Sequence, residues 1–177
     1  DVITYFKREG CGAKTITDSQ YYDIVASARS HYNSIQKALD KIGLDADEVR
    51  EIPPVYFEGF RGENAYTKQT ASGRWVSTTY EIAWLFFSDS QVHVYRRRFN
   101  LDDDYTTEIT DEYFYKDITA FTTISEEEVD RDGKRIPTTT FRMRGAGIEF
   151  ECSLSEVKDF ETAIRGMKQK LREKKNA

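Results

Sequence analysis

The chain has 177 residues, with 26 Lys and Arg against 31 Asp and Glu, and a formal net charge of −5. This length can bury a core without disulfide or metal support, and the 38% of hydrophobic residues fits a globular chain. The acidic balance argues against nucleic-acid binding, because that needs several Lys or Arg on phosphates. A four-ligand zinc site would need both Cys and both His, so we expect no metal and no cofactor. No apolar run is long enough to span a bilayer.

Residues 1–62 are predicted to form an N-terminal helical segment. Val2, Ile3, Tyr5 and Phe6 suggest a short strand that stops at Gly10-Cys11-Gly12. Residues 18–42 then carry apolar side chains at alternating spacings of three and four, which predicts one long helix. Thr17 with Gln20 resembles a capping box at its start, and Gly43 is a natural stop.

The apolar stripe of this helix has two interpretations. It either packs on the chain's own core or pairs with a second copy, which would make the protein a homo-oligomer. The candidate self-association residues are Val25, Tyr32, Ile35 and Leu39.

Residues 63–177 are predicted to form a second unit, rich in strands. From residue 65 the sequence becomes dense in Tyr, Phe, Thr, Val and Ile, with turn signals at residues 88–91 and at Asp132-Gly133. Ser153 to Glu156 resembles a capping box, which predicts that a final helix follows directly and runs to about residue 175. The predicted fold class is therefore α+β, with about seven antiparallel strands and a C-terminal helix.

Two segments resemble bacterial pleckstrin-homology-like (PH-like) domains. They are residues 84–95, WLFFSDSQVHVY, and residues 113–121, YFYKDITAF, and the likeness covers about residues 65–175. The resemblance implies an antiparallel β-barrel or sandwich closed by the C-terminal helix. It also implies a non-enzymatic binding module for a protein, peptide or membrane-proximal partner in the bacterial cytoplasm, and two dissimilar Cys suit such a reducing compartment. Lys68 is followed by Arg74-Trp75-Val76, which lacks the second cation of the phosphoinositide pattern, so the resemblance disfavours phosphoinositides.

Four arginines are candidates for contact with an anion or a partner: Arg96, Arg98, Arg142 and Arg144. Arginine suits bidentate binding of carboxylate or phosphate. The competing interpretation is that these side chains pair with nearby carboxylates, such as Glu108, Glu112 or Asp117.

Two alternative functions stay open at this point. One is a small-ligand-binding or enzyme domain with a cavity between an N-terminal helix and a curved sheet, for which a pocket holding His93 and an acidic partner would speak. The other is a helix-mediated oligomerisation unit. No catalytic motif is recognisable in the sequence.

Overall fold

The structure is a computed structural model that describes residues 1–7 and 15–177. The helices are α1 (Val2–Lys7), α2 (Asp18–Arg29), α3 (Ile35–Ile42) and α4 (Phe160–Lys175), with short 3-10 turns at Ala46–Val49 and Tyr115–Asp117. The strands are β1 (Val55–Arg61), β2 (Thr67–Gln69), β3 (Trp75–Ser77), β4 (Thr79–Phe87), β5 (Gln91–Asn100), β6 (Thr106–Phe114), β7 (Ile118–Val129), β8 (Arg135–Gly145) and β9 (Ile148–Ser153). The α+β class, the antiparallel strands and the C-terminal helix are confirmed.

The strands form three antiparallel sheets. The larger two have the orders β1-β4-β5-β6 and β7-β8-β9, and β2 and β3 form a separate ribbon. The sheets are not closed into a barrel, so the barrel form of the prediction is not confirmed. The described residues contain nine strands rather than about seven, because β1 lies within the segment predicted to be helical and β2 is not predicted.

The main core lies between the two larger sheets and under α4. Phe57, Leu85 and Val94 of the four-stranded sheet share this core with Phe141 of β8 and Leu171 of α4. The apolar positions of β9 alternate with polar ones, so the strand places one face in the core and the other towards water. The helix α4 covers the core through Ile164, Met167 and Leu171, which recur at helical spacing.

The N-terminal helices cover the opposite face of the four-stranded sheet. Tyr21 and Val25 of α2 pack with Tyr80 and Ile82, and Leu39 of α3 packs in a neighbouring cluster with Phe86. The central strands β4 and β5 are therefore covered on both faces, whereas the outer strand β6 has no buried residue. The boundary predicted at residue 62 falls directly after β1, which pairs along its whole length with β4.

The prediction of one helix over residues 18–42 is wrong, because residues 30–34 separate α2 from α3. The capping box of Thr17 and Gln20 and the stop at Gly43 are confirmed. Ser34 caps α3, since its side chain accepts a hydrogen bond from the backbone N–H of Lys37.

Two other local predictions are also wrong. Residues 2–7 form a helix rather than a strand, and Tyr5 is fully buried in the cluster beneath α2. The final helix begins at Phe160, preceded by Asp159 with a positive φ. The supposed capping-box residues have other roles: Ser153 ends β9 and Glu156 pairs with Arg74, while Ser155 between them accepts a hydrogen bond from the N–H of Phe60 in β1 at 2.8 Å. The predicted break at Gly10-Cys11-Gly12 lies outside the described residues.

The two predicted tight connections are confirmed. Residues 88–91 join β4 to β5, and the segment around Asp132-Gly133 joins β7 to β8, with Gly133 at a φ of 83°. None of the helices in the described ranges is long and apolar enough to cross a membrane.

Candidate functional site

Three of the four candidate arginines are bonded within the chain. Arg98 donates to Glu81 at 2.9 Å, and Arg142 lies 3.0 Å from Glu151 and 3.2 Å from Glu126. Arg96 donates to the backbone carbonyl of Glu151 at 2.7 Å. These guanidiniums belong to a network at one end of the sandwich, where β1, β4 and β5 meet β9.

Arg61 of β1 joins this network, and sequence reasoning missed it. It lies 2.8 Å from Glu151 and 3.2 Å from Glu128. Burial raises the pKa of the Glu128 carboxyl, and the opposing effect of Arg61 does not cancel that rise. Burial alone would also raise the pKa of the Glu151 carboxyl, but Arg61 and Arg142 together outweigh burial and lower that pKa.

Arg144 differs from the other three arginines. Its side chain is exposed on β8, and the structure gives it no ion-pair partner among residues 1–7 and 15–177. Of the proposed anion contacts, it is therefore the one whose charge is open to a partner. Arg97, which was not a candidate, pairs with Glu108 at 2.8 Å.

The four candidate self-association residues do not form one surface. Val25 and Leu39 are 4% and 3% exposed because they pack on the chain's own sheet. Tyr32 is partly buried against Phe99, at a ring-centroid distance of 5.4 Å. Ile35, at 40% exposure, faces outwards.

His93 is buried in β5, as the enzyme alternative required, but it lies between hairpin residues. Its Nε2 is 3.0 Å from Ser88 Oγ, and its Nδ1 is 3.4 Å from Glu112. Burial lowers the pKa of the imidazole. The Ser88 hydroxyl also lies 3.1 Å from the Gln91 carbonyl, which fits a structural role in the β4–β5 turn.

Two cavities lie between α2 and the four-stranded sheet, and a third lies nearby. One of about 460 Å³ is lined by Ala28, Tyr32, Phe99 and Asp104 among others. The second, of about 290 Å³, is lined by Tyr22, Arg29, Glu58 and Tyr80 among others, and the third, of about 320 Å³, lies between β3 and β8. Glu156 lines the second and third cavities and is bonded to Arg74 at 2.6 Å. Arg29 also donates to both carboxylate oxygens of Glu58, so the cations that line these two cavities are paired within the chain.

The outer edge of β7 is open. β7 pairs with β8 alone, and it ends the three-stranded sheet. At the hairpin, Asp130 N–H donates to the Lys134 carbonyl, so this pair of residues is hydrogen-bonded. In an antiparallel ladder, bonded and non-bonded pairs alternate along the strand. The N–H and C=O groups of Phe121, Thr123 and Ser125 therefore point away from β8. None of these N–H and C=O groups has a hydrogen-bond partner within the described ranges.

The open edge also lacks the usual protection of an edge strand. Residues 118–125 contain neither charge nor proline, whereas the outer strand of the other large sheet, β6, carries Glu108, Asp111 and Glu112. Charged side chains and proline normally prevent a second chain from pairing with an exposed edge. β7 is therefore the edge best suited to accept another strand.

A groove of about 300 Å³ runs between β7 and α4. Thr123 lines it from the strand, and Ile164 forms its apolar contact from the helix. The other lining residues are charged side chains of α4: Glu161, Arg165, Lys168 and Arg172. Lys175, at the end of α4, donates to the carbonyl of Ile118 at the start of β7.

The sequence did not identify β7 as the strand with the open edge, nor locate the groove beside α4. The uncharged run at 118–125 was visible, and so were the cations at 165, 168 and 172. Their juxtaposition depends on how α4 packs across the core, which no local pattern determines.

No family model, no curated protein and no solved structure matches this chain. Its function is therefore inferred from the geometry of its own residues. In the described part of the chain, no cluster of three or more His, Cys, Asp or Glu side chains could hold a metal ion.

Proposed function

We propose that this protein is a non-enzymatic binding module that takes up an extended segment of a protein or peptide partner beside β7. The open hydrogen-bonding edge of residues 121–125 carries the proposal. An extended peptide satisfies such an edge by adding as a further strand, and its alternate side chains then enter the neighbouring groove.

The arrangement of the whole chain supports this proposal. Seven of the nine strands form the two larger antiparallel sheets, and α4 follows them, an order in keeping with the resemblance to PH-like domains. The buried free thiol of Cys152 suits the bacterial cytoplasm as the proposed location.

The same observations weigh against the other functions considered. The cations of the two cavities that Glu156 lines are paired within the chain, and His93 contacts Ser88 and Glu112, so neither site supports catalysis as directly as β7 supports strand addition. A phosphoinositide site would need free cations at the strand-turn-strand, but Arg74 is held by Glu156.

The test is selection of binders from a displayed library of random peptides about ten residues long, which exceeds the usual length of a strand. Selected peptides are then titrated into the ¹⁵N-labelled chain. We expect the largest amide shifts at residues 121–125. Thr123→Pro should abolish binding, because proline removes an edge N–H without breaking the β7–β8 ladder.

Thr110→Pro is the matched control. Thr110 is also an exposed edge threonine, and the alternation from the bond between Asn100 N–H and the Tyr105 carbonyl directs its N–H away from β5. Binding should survive this change. Peptides that bind both proline variants equally well, or a selection that enriches nothing, would overturn the proposal.

A further inference from the structure

Three cations of α4 form one stripe along the groove. Arg165, Lys168 and Arg172 are spaced by three and four residues, so they share a helix face, and all three line the groove beside β7. None has an ion-pair partner within the described ranges. Lys174, on the same helix, shows the contrast, because it pairs with Glu51 at 2.7 Å.

We infer that the segment bound at β7 is acidic, an inference that rests on the proposed function. Uncompensated cations beside an open strand edge favour a partner that brings carboxylates. The chain as a whole carries a net charge of −5, so this basic stripe is a local feature and not a consequence of composition.

The geometry also says where the acidic residues lie. Side chains of an added strand alternate between the two faces of the sheet, and one set points to the side of Thr123 and α4. Acidic residues at every second position therefore meet the stripe. They lie beside Thr123, the β7 residue that lines the groove together with the stripe.

A second copy of this chain fits the edge less well. Antiparallel pairing of two β7 strands would place both α4 helices on the same side of the joined sheet. The stripes of the two copies, each with Arg165, Lys168 and Arg172, would then face each other across the symmetry axis. This repulsion favours a foreign acidic segment over self-pairing.

The test compares three synthetic peptides in which Val alternates with Glu, with Gln or with Lys. Binding to the full chain is measured by fluorescence anisotropy. Several screened ion pairs at the rim of a groove should together make the Glu peptide bind about ten times more tightly than the Gln peptide. The Lys peptide should bind most weakly, and the advantage of the Glu peptide should shrink as salt is raised.

A triple variant, Arg165→Gln, Lys168→Gln and Arg172→Gln, should remove the difference between the Glu and Gln peptides. The control removes three other exposed cations, with Lys37→Gln, Lys158→Gln and Lys170→Gln. The control has the same net charge as the first triple variant but keeps the stripe, so it should keep the tenfold preference.

The outcomes separate this inference from the proposed function. If the Gln peptide binds as tightly as the Glu peptide and both are lost in Thr123→Pro, the inference fails and the proposed function stands. If none of the three peptides binds, and library selection also enriches nothing, both fail. N-methylation of alternate peptide amides should abolish binding in one register only, which tests strand addition even if Thr123→Pro does not fold.

Anionic membranes are the competing source of negative charge. Vesicles of phosphatidylserine and phosphatidylcholine are therefore added to the full chain, the stripe variant and Thr123→Pro. Vesicle binding that needs the stripe but survives Thr123→Pro, without preference for the Glu peptide, would overturn the inference in favour of a lipid surface.

Discussion

Glu128 and Glu151 contact the same guanidinium, that of Arg61, yet their protonation equilibria shift in opposite directions. Burial dominates at Glu128 and raises its pKa above the ordinary 4.5. Glu151 lies between two arginines, which lower its pKa. At the scale of single residues, the ion network at the end of the sandwich therefore contains one carboxylate that costs stability at neutral pH and one that contributes it.

This opposition predicts different results for two similar substitutions. The folded state binds a proton at Glu128 more readily than the unfolded state does. The contribution of Glu128 to the free energy of unfolding therefore falls as the pH rises above 4.5. Glu128→Gln should therefore raise the free energy of unfolding at pH 7 by about 1 kcal/mol, with no gain well below pH 4.5. Urea unfolding at a series of pH values measures this.

Glu151→Gln should have the opposite sign. The lowered pKa of Glu151 contributes stability that is present above pH 4.5 and is lost as the pH falls through the folded-state value. The substitution should lower the free energy of unfolding at pH 7 by roughly 1–3 kcal/mol, because Arg61 and Arg142 lose a charged partner. Equal signs for the two variants at pH 7 would contradict this view of the network.

At the scale of secondary-structure elements, the backbone of β1 lies in close contact with the end of β9 and the residues that follow it. A Cβ on Gly59 would lie 2.7 Å from the backbone N of Ser155, a group that cannot move without shifting the chain. Gly166 on α4 is the opposite case, since a Cβ there meets nothing within 4 Å.

The two glycines therefore predict opposite effects of alanine. Gly59→Ala should lower the free energy of unfolding by about 1–3 kcal/mol, as overpacking does. Gly166→Ala should raise it by roughly 0.5–1 kcal/mol, because glycine is costly inside a helix. Thermal and urea unfolding of both variants measure the pair, and a stable Gly59→Ala would mean that β1 and β9 are not in close contact.

The comparison of sequence with structure is also clearest for these elements. The helices α2 and α3 pack on the same face of the four-stranded sheet. Their apolar residues therefore keep the spacing of a single helix, although residues 30–34 separate the two. The residues at 2–7 have strand propensity, but packing of Tyr5 under α2 decides their conformation. Ser153 to Glu156 has the residue types of a helix cap, but in the structure Ser153 ends β9 and Glu156 pairs with Arg74.

The candidate site was less predictable than the strands that build it. Alternation and turn residues located β7 and β8, since these signals are local. The open edge of β7 depends on which strands pair, and its groove depends on where α4 lies. For the same reason the sequence did not identify the partners of the arginines, because Arg98 pairs with Glu81 and Arg142 with Glu151, each directly opposite on the neighbouring strand.

At the scale of the whole molecule, the N-terminal helices and the two larger sheets form layers. The buried apolar side chains of α2 and α3 face the four-stranded sheet. Val25 and Leu39 are buried against the chain's own sheet, so a dimer through these side chains would have to expose that sheet. The cations beside β7 disfavour the other symmetric contact, between two strand edges.

We therefore expect a monomer by light scattering at all protein concentrations that can be measured. Ile35→Glu should leave both mass and stability within error, because Ile35 is exposed. Leu39→Glu should lower the free energy of unfolding by several kcal/mol, since it buries an unpaired charge. A stable dimer that Ile35→Glu dissociates would contradict the layered arrangement and would make self-association through α3 the leading function. A dimer lost only in Thr123→Pro would instead show that the stripe on α4 does not prevent two β7 edges from pairing.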